Sequence, residues 1–263
     1  MSDLGPLIRA EEGGPAIPLP ADEVHVWTAS RDGPEGVVEA MRGLLDDDER
    51  RRADRFVSAV DRRRFAVGRG LLRTILGRYL DRPPETLRFV ANAHGKPDLD
   101  PASGVDPALR FNLAHSGALI LIGLARGRDL GVDIEKVRPD FGGEALAARF
   151  FAPGEVAALR ALPADAKTLA FFQGWTRKEA YIKAKGKGLA IPLDEFEVAI
   201  DPGRPAALLS THPDPLDAAR WSLVELATEA GYVAAACVEG AHWTLRRGWW
   251  PPGRNPEEGR GRP

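Results

Sequence analysis

Gly131-Val132-Asp133-Ile134-Glu135, followed further along by Trp175-Thr176-Arg177-Lys178-Glu179-Ala180-Tyr181-Ile182-Lys183, decides how this chain is read. Around the first stretch, residues 130–137 alternate apolar and polar, the period of a half-buried β-strand. Successive strand side chains leave on opposite faces, so Asp133 and Glu135 share one face while Val132 and Ile134 take the other. Two carboxylates so placed repel each other, and a cation between them reverses the sign of that interaction. Hard oxygen donors favour Mg²⁺, which is held by one or two carboxylates together with phosphate oxygens and water. A solvated edge strand presents the same pair, and a D-x-E by itself does not separate these readings.

The second stretch reads as a helix. Leu169, Phe172, Trp175, Ala180 and Ile182 fall near helical spacing, and Gly186 and Gly188 end the run, which predicts a helix over residues 165–185. Glu179 and Lys183 are four apart and share a face, either as an ordinary surface pair or as two groups converging on one object. Lys178 points elsewhere on the helix, toward solvent or toward a phosphate.

Working outward, residues 61–80 place Phe65, Gly68, Leu72, Ile75 and Tyr79 on one stripe, and Asp81-Arg82-Pro83-Pro84 stops it, which predicts a long buried helix. Asp46 to Glu49, ahead of three arginines, marks another helix start. Strands are expected at residues 23–28, 86–90, 109–113, 118–125 and 130–137. Helices follow at 144–151, 153–161 and 165–185, then strands at 195–200, 221–227, 232–238 and 242–246. This divides the chain into an N-terminal α+β half (23–128) and a C-terminal one (129–247). A Gly/Pro/Glu-rich segment (1–22) and a Pro/Gly/Arg-rich tail (248–263) are read as disordered.

Composition fits a globular enzyme. Hydrophobic residues make 44% and charged residues 28% of 263. The net charge of −2, from 36 basic and 38 acidic side chains, gives no pull toward nucleic acid. One cysteine, Cys237, excludes an intramolecular disulfide and fits a cytoplasmic protein. The longest apolar run, residues 118–125, is too short to span a bilayer, and no secretory signal precedes it. Ser116 beside His115 lacks the Gly-x-Ser-x-Gly elbow of a hydrolase. The five histidines show no zinc spacing with the lone cysteine.

Four motifs stand in one order: Gly95-Lys96-Pro97, Phe111-Asn112-Leu113-Ala114-His115-Ser116, Gly131 to Glu135, and Trp175 to Leu189. Together they resemble the Sfp-type 4′-phosphopantetheinyl transferases, and the resemblance runs from about residue 24 to 238. It implies two similar α+β halves about a pseudo-twofold axis with the active site between them, and transfer of phosphopantetheine from coenzyme A to a serine of an apo acyl or peptidyl carrier protein. It further implies Mg²⁺ held by Asp133, Glu135 and Glu179, with Glu179 also the candidate base. Lys183, His115 and Lys96 would contact phosphate, Asn112 and Gly95 would support the cofactor, and Arg52 would meet the 3′-phosphate, with Arg63 or Arg64 assisting.

Ala114 stands where the family usually has serine, which would leave one hydroxyl contact to phosphate missing. That departure keeps open a catalytically inactive coenzyme A-binding module, and the carboxylates alone also fit a Mg²⁺-dependent enzyme acting on another nucleotide diphosphate. The carrier, from fatty-acid, polyketide or nonribosomal-peptide synthesis, is not readable. The fused halves suggest a monomer, and the near-neutral charge and short apolar runs give no expectation of nucleic acid or membrane as partners.

Overall fold

The computed structural model describes residues 14–251. The chain opens with β1 (Glu23–Ser30), α1 (Glu35–Gly43), α2 (Asp47–Asp54) and the 22-residue α3 (Ala59–Leu80). A short hairpin of β2 (Phe89–Ala91) and β3 (Pro97–Leu99) precedes β4 (Leu109–Ser116), β5 (Leu119–Arg126) and β6 (Leu130–Lys136). Next come α4 (Glu144–Phe150), α5 (Pro153–Ala161) and the 22-residue α6 (Ala164–Lys185). The chain finishes with β7 (Phe196–Val198), β8 (Leu208–Thr211), β9 (Trp221–Leu226), β10 (Tyr232–Glu239) and β11 (Thr244–Trp250).

The helix ends follow their sequence signals. Asp46 accepts from the Glu49 amide while the Glu49 carboxylate accepts from the Asp46 amide, a reciprocal cap that starts α2. Ser58 caps α3 through the Asp61 amide. Gly186, at φ +67°, closes α6 in the left-handed conformation that glycine adopts without a Cβ penalty.

Among the described residues two larger sheets, ordered β11-β1-β5-β4 and β6-β10-β9, stand beside the two-stranded β2-β3 and β7-β8, so the fold is α+β with one long helix packed on a larger sheet in each half. Strand alternation sorts the apolar residues into three clusters. Trp27, Ile120, Ile122 and Leu124 face α3, joining Leu72, Ile75 and Leu76. Ala235 and Cys237 face α6, joining Phe172, Ala180 and Ile182. The opposite faces supply the third cluster, where Val24, Val26, Leu119 and Leu121 of one half meet Leu130, Val132, Ile134, Ala234 and Ala236 of the other. Burial on both faces of β1, β5, β6 and β10 therefore welds the halves together.

β4 and β6 run side by side across this seam without forming a ladder. Two side chains take its place: Asn112 Oδ1 accepts from the Val132 amide at 2.8 Å, and Ser116 Oγ accepts from the Lys136 amide at 3.0 Å. The first satisfies an edge amide of β6 that would otherwise be left unpaired in the interior.

Several expectations change. The strand expected at 86–90 is a 3₁₀ turn, Pro84–Thr86, followed by β2. α1 and β8 were not anticipated, being short and only partly buried. The final strand belongs to the other half: β11 pairs in parallel with β1, and Trp250 packs edge-on against Trp27 at 5.3 Å. The boundary at 247 therefore falls inside a strand, and residues 248–250 are not a disordered tail, because their aromatic surface finds a core. Residues 14–22 are likewise ordered, with Ile17 and Leu19 buried against α3 and the Ile17 amide bonded to the Arg78 carbonyl at 2.9 Å. The remainder of both terminal calls, 1–13 and 252–263, lies outside the described residues. Among the described residues no helix is long and apolar enough to cross a membrane.

Candidate active site at the seam between the halves

Gly131 explains why Asp133 lies where it does. A Cβ at Gly131 would overlap the Ala180 carbonyl and the Ala184 amide, so only glycine lets β6 lie directly on the backbone of α6. With period two, Asp133 and Glu135 then face the same helix. Asp133 is buried, at 4% exposure, and its Oδ1 accepts from Lys183 Nζ at 2.6 Å. Its Oδ2 is buried without any hydrogen-bond partner. Burial pushes the Asp133 carboxyl up to about 7; Lys183 limits the rise, and the charges of Glu179 and Glu135 add to it.

Glu179, half-buried on α6, is also raised, first by burial and then by Glu135, against the opposing pull of Lys183. Glu135 accepts from Ser116 Oγ at 2.8 Å, which ties the end of β4 to this group. His115, one residue earlier and exposed, has its imidazole held below the usual range by partial desolvation and then by the charges of Arg31 and Lys183. The i,i+4 pair on the helix and the D-x-E pair on the strand thus share one neighbourhood with His115. Arg31 belongs there too: its Nη2 donates to the Gly117 carbonyl at 2.7 Å, and its Nε is buried without a partner. Nothing local in Ala29-Ser30-Arg31-Asp32 signals this placement, since only the fold brings β1 beside the β4–β5 turn.

Other expected site residues stand differently. Asn112, 5% exposed, commits its Oδ1 to the seam rather than to a ligand. Lys96 donates to the carbonyls of Lys183 (2.8 Å) and Leu130 (3.2 Å), so its ammonium is engaged by backbone instead of pointing at a phosphate. Gly95, at φ +83°, forms the exposed β2–β3 turn. Arg52 is exposed on α2 with its guanidinium 5.4 Å from the Phe65 ring, and Arg63 and Arg64 pair with Glu35 and Asp32. Lys178 neither meets solvent nor reaches the site: it is fully buried, ion-paired with Glu155 at 2.8 Å and donating to the carbonyls of Leu193 and Phe196.

Ala114 corrects a further expectation. Its side chain is 4% exposed and belongs to the apolar cluster between the halves, so its methyl packs among apolar side chains instead of facing solvent. Ala114→Ser should leave the KM for coenzyme A unchanged and lower stability by about 1 kcal/mol, the order expected for a buried hydroxyl that finds only partial compensation. A fall in KM, measured beside a thermal melt, would return this position to the ligand site.

Among the described residues, no three His, Cys, Asp or Glu side chains are grouped so as to hold a metal ion by themselves. Mg²⁺ does not require such a group, because it keeps waters and substrate oxygens in its shell. The orphaned, buried Asp133 Oδ2 beside two further carboxylates is the kind of hard donor set that fits such an ion. The fold and this gathering of charge describe a two-half α+β protein with a buried carboxylate site where its halves meet.

Two family models divide the chain between them: the 4′-phosphopantetheinyl transferase superfamily over residues 129–237, and a 4′-phosphopantetheinyl transferase N-terminal model over residues 26–125. The 4′-phosphopantetheinyl transferase HetI of Nostoc sp. is 42% identical over 229 residues, covering 87% of this chain and 93% of its own. The 4′-phosphopantetheinyl transferase Sfp of Bacillus subtilis is 30% identical over 213 residues, 72% and 92% of the two chains. The holo-[acyl-carrier-protein] synthase of Thermotoga maritima overlaps 43% of this chain and 62% of its own, with 19% identity and a TM-score of 0.33. The chain belongs to the 4′-phosphopantetheinyl transferase superfamily and is an enzyme of that transferase class.

Proposed function

We propose that this enzyme moves the 4′-phosphopantetheine group of coenzyme A onto a serine of an apo carrier protein at the seam between β6 and α6. The observation that carries the site assignment is the buried Asp133 with one carboxylate oxygen on Lys183 and the other without a partner, beside Glu135 and Glu179. Asp133 and Glu179 would hold Mg²⁺, with Glu135 completing the shell directly or through water; when bound, the ion neutralises charge on the diphosphate.

The chain's own groups then divide the work. The carrier serine oxygen bonds to the phosphorus on the pantetheine side, the bridging P–O bond breaks, and its electron pair leaves on 3′,5′-ADP. Glu179 is also the candidate base for the serine proton. Lys183, only partly buried, is placed to stabilise the leaving oxygen once the diphosphate competes with Asp133 for its ammonium. Arg31 adds positive charge beside the β4–β5 turn, where the remaining phosphate charge would lie, and His115 offers a ring N–H donor there.

The placement of Ala114 in the seam removes the one feature that favoured an inactive coenzyme A-binding module. A monomer fits the apolar cluster that already joins the halves. Intact mass of a panel of apo carriers from fatty-acid, polyketide and nonribosomal-peptide systems, after incubation with the enzyme, coenzyme A and Mg²⁺, tests the proposal. A gain of one phosphopantetheine that EDTA abolishes is expected. Binding of coenzyme A with no gain on any carrier would sink it, and turnover of another nucleotide diphosphate would favour the different Mg²⁺ enzyme.

A further inference from the structure

Lys96 lies in the N-terminal half, on the β2–β3 hairpin, yet both hydrogen-bond acceptors of its ammonium belong to the C-terminal half. One is the carbonyl of Lys183 at 2.8 Å, in the last turn of α6, and the other is the carbonyl of Leu130 at 3.2 Å, the first residue of β6. Final-turn carbonyls of a helix are short of amide donors, that of Lys183 sharing the Gly186 cap amide at 3.2 Å with Ile182, and they carry the negative end of the helix dipole, so a half-buried cation there is doubly favoured. A second donor from the same hairpin reinforces the grip: Asn92 Nδ2 donates to the Gly186 carbonyl at 2.8 Å. Asn92 Oδ1 in turn accepts from the amides of His94 (2.9 Å) and Lys96 (3.0 Å), which fixes the loop that carries both donors.

The two elements so gripped are the ones that carry the charged site. α6 bears Glu179 and Lys183, β6 bears Asp133 and Glu135, and Lys183 Nζ meets Asp133 Oδ1 at 2.6 Å between them. We infer that Lys96 is a positioning residue: by holding the Lys183 and Leu130 carbonyls together from across the seam, it sets the approach of Lys183 to Asp133. It acts through backbone and touches no substrate. The same lysine read as a phosphate ligand would need its ammonium free, and here it is committed to two carbonyls. The inference rests on the transferase reading for its kinetic consequence, though not for its structural one.

Lys96→Met keeps the aliphatic stem and removes the donors. Asn92→Ala removes the neutral arm of the same grip on an exposed residue and serves as the gentler variant should the first fold poorly. Expected for Lys96→Met is a fall in kcat of about tenfold, the scale of one lost hydrogen bond from a charged donor, with the KM for coenzyme A within about twofold of wild type. In a Lys183→Met background the additional loss should shrink below about twofold, because residues acting through one another are not additive.

A KM for coenzyme A raised about tenfold with kcat preserved would make Lys96 a direct ligand and overturn the inference. An equal loss in both backgrounds, or no loss in either, would do the same. Hydrogen exchange on the substrate-free protein gives a readout apart from activity. The Gly186 amide, bonded to the Ile182 and Lys183 carbonyls, should exchange faster in both variants, and unchanged exchange would also overturn the clamp. Should wild type modify no carrier at all, the transferase reading fails while the exchange experiment still judges Lys96.

Discussion

Asp133→Asn is expected to lower kcat for carrier modification by at least about a hundredfold while leaving the circular dichroism spectrum unchanged. The substitution keeps the shape of the side chain and its hydrogen-bonding reach toward Lys183, but removes the charge that would bind a cation. Losing an electrostatic stabiliser from a water-excluded site is worth about 10²–10³ in rate. The environment adds a sign that a structural role does not predict. Because burial raises this carboxyl to about 7 in the metal-free protein, protons compete for it near neutrality, so the apparent affinity for Mg²⁺ should rise as pH increases through that value.

The linkage to folding runs the other way. A carboxyl raised above its unfolded value contributes stability that is full below about 4 and is lost as pH climbs through about 7. Metal-free Asp133→Asn should therefore be more stable than wild type at pH 8, and the gain should vanish on acidification. Undiminished turnover of Asp133→Asn at saturating Mg²⁺ would remove Asp133 from the metal site.

Lys178→Met has the largest effect expected on stability. The Lys178–Glu155 pair is 2.8 Å long at 0% and 2% side-chain exposure, and every partner is satisfied. Lys178 also donates to the Leu193 and Phe196 carbonyls, while Glu155 accepts from the Ala152 and Val198 amides. Removing the lysine leaves a buried carboxylate without its cation, at a cost of about 3–5 kcal/mol. For a chain of this size that moves the thermal midpoint on the order of 10 °C. Lys178→Met combined with Glu155→Gln should recover part of the loss, since no uncompensated charge then remains. A Lys178→Met protein that melts with wild type would show that the pair is not buried in solution.

Much of the fold was legible because it rests on short-range pattern. The alternation of β6 placed Asp133 and Glu135 on one face, the helical stripe and closing glycines located α6 almost to its ends, and the ordered motifs were sufficient for the family. Those signals are local: a strand's period and a helix's cap are set by neighbouring residues.

What tertiary structure decided is every role that depends on a distant partner. The Ala114 methyl faces a cluster built by both halves, and Lys178, the residue before Glu179, meets Glu155 in a core no spacing announces. Lys96 reaches carbonyls on α6 and β6, and β11 leaves its sequence neighbours to pair with β1. Residue types within a motif determine which chemistry is possible; which of those residues then faces ligand, seam or core is fixed by long-range packing, because burial and hydrogen-bond demand are satisfied by whichever partner the fold brings near.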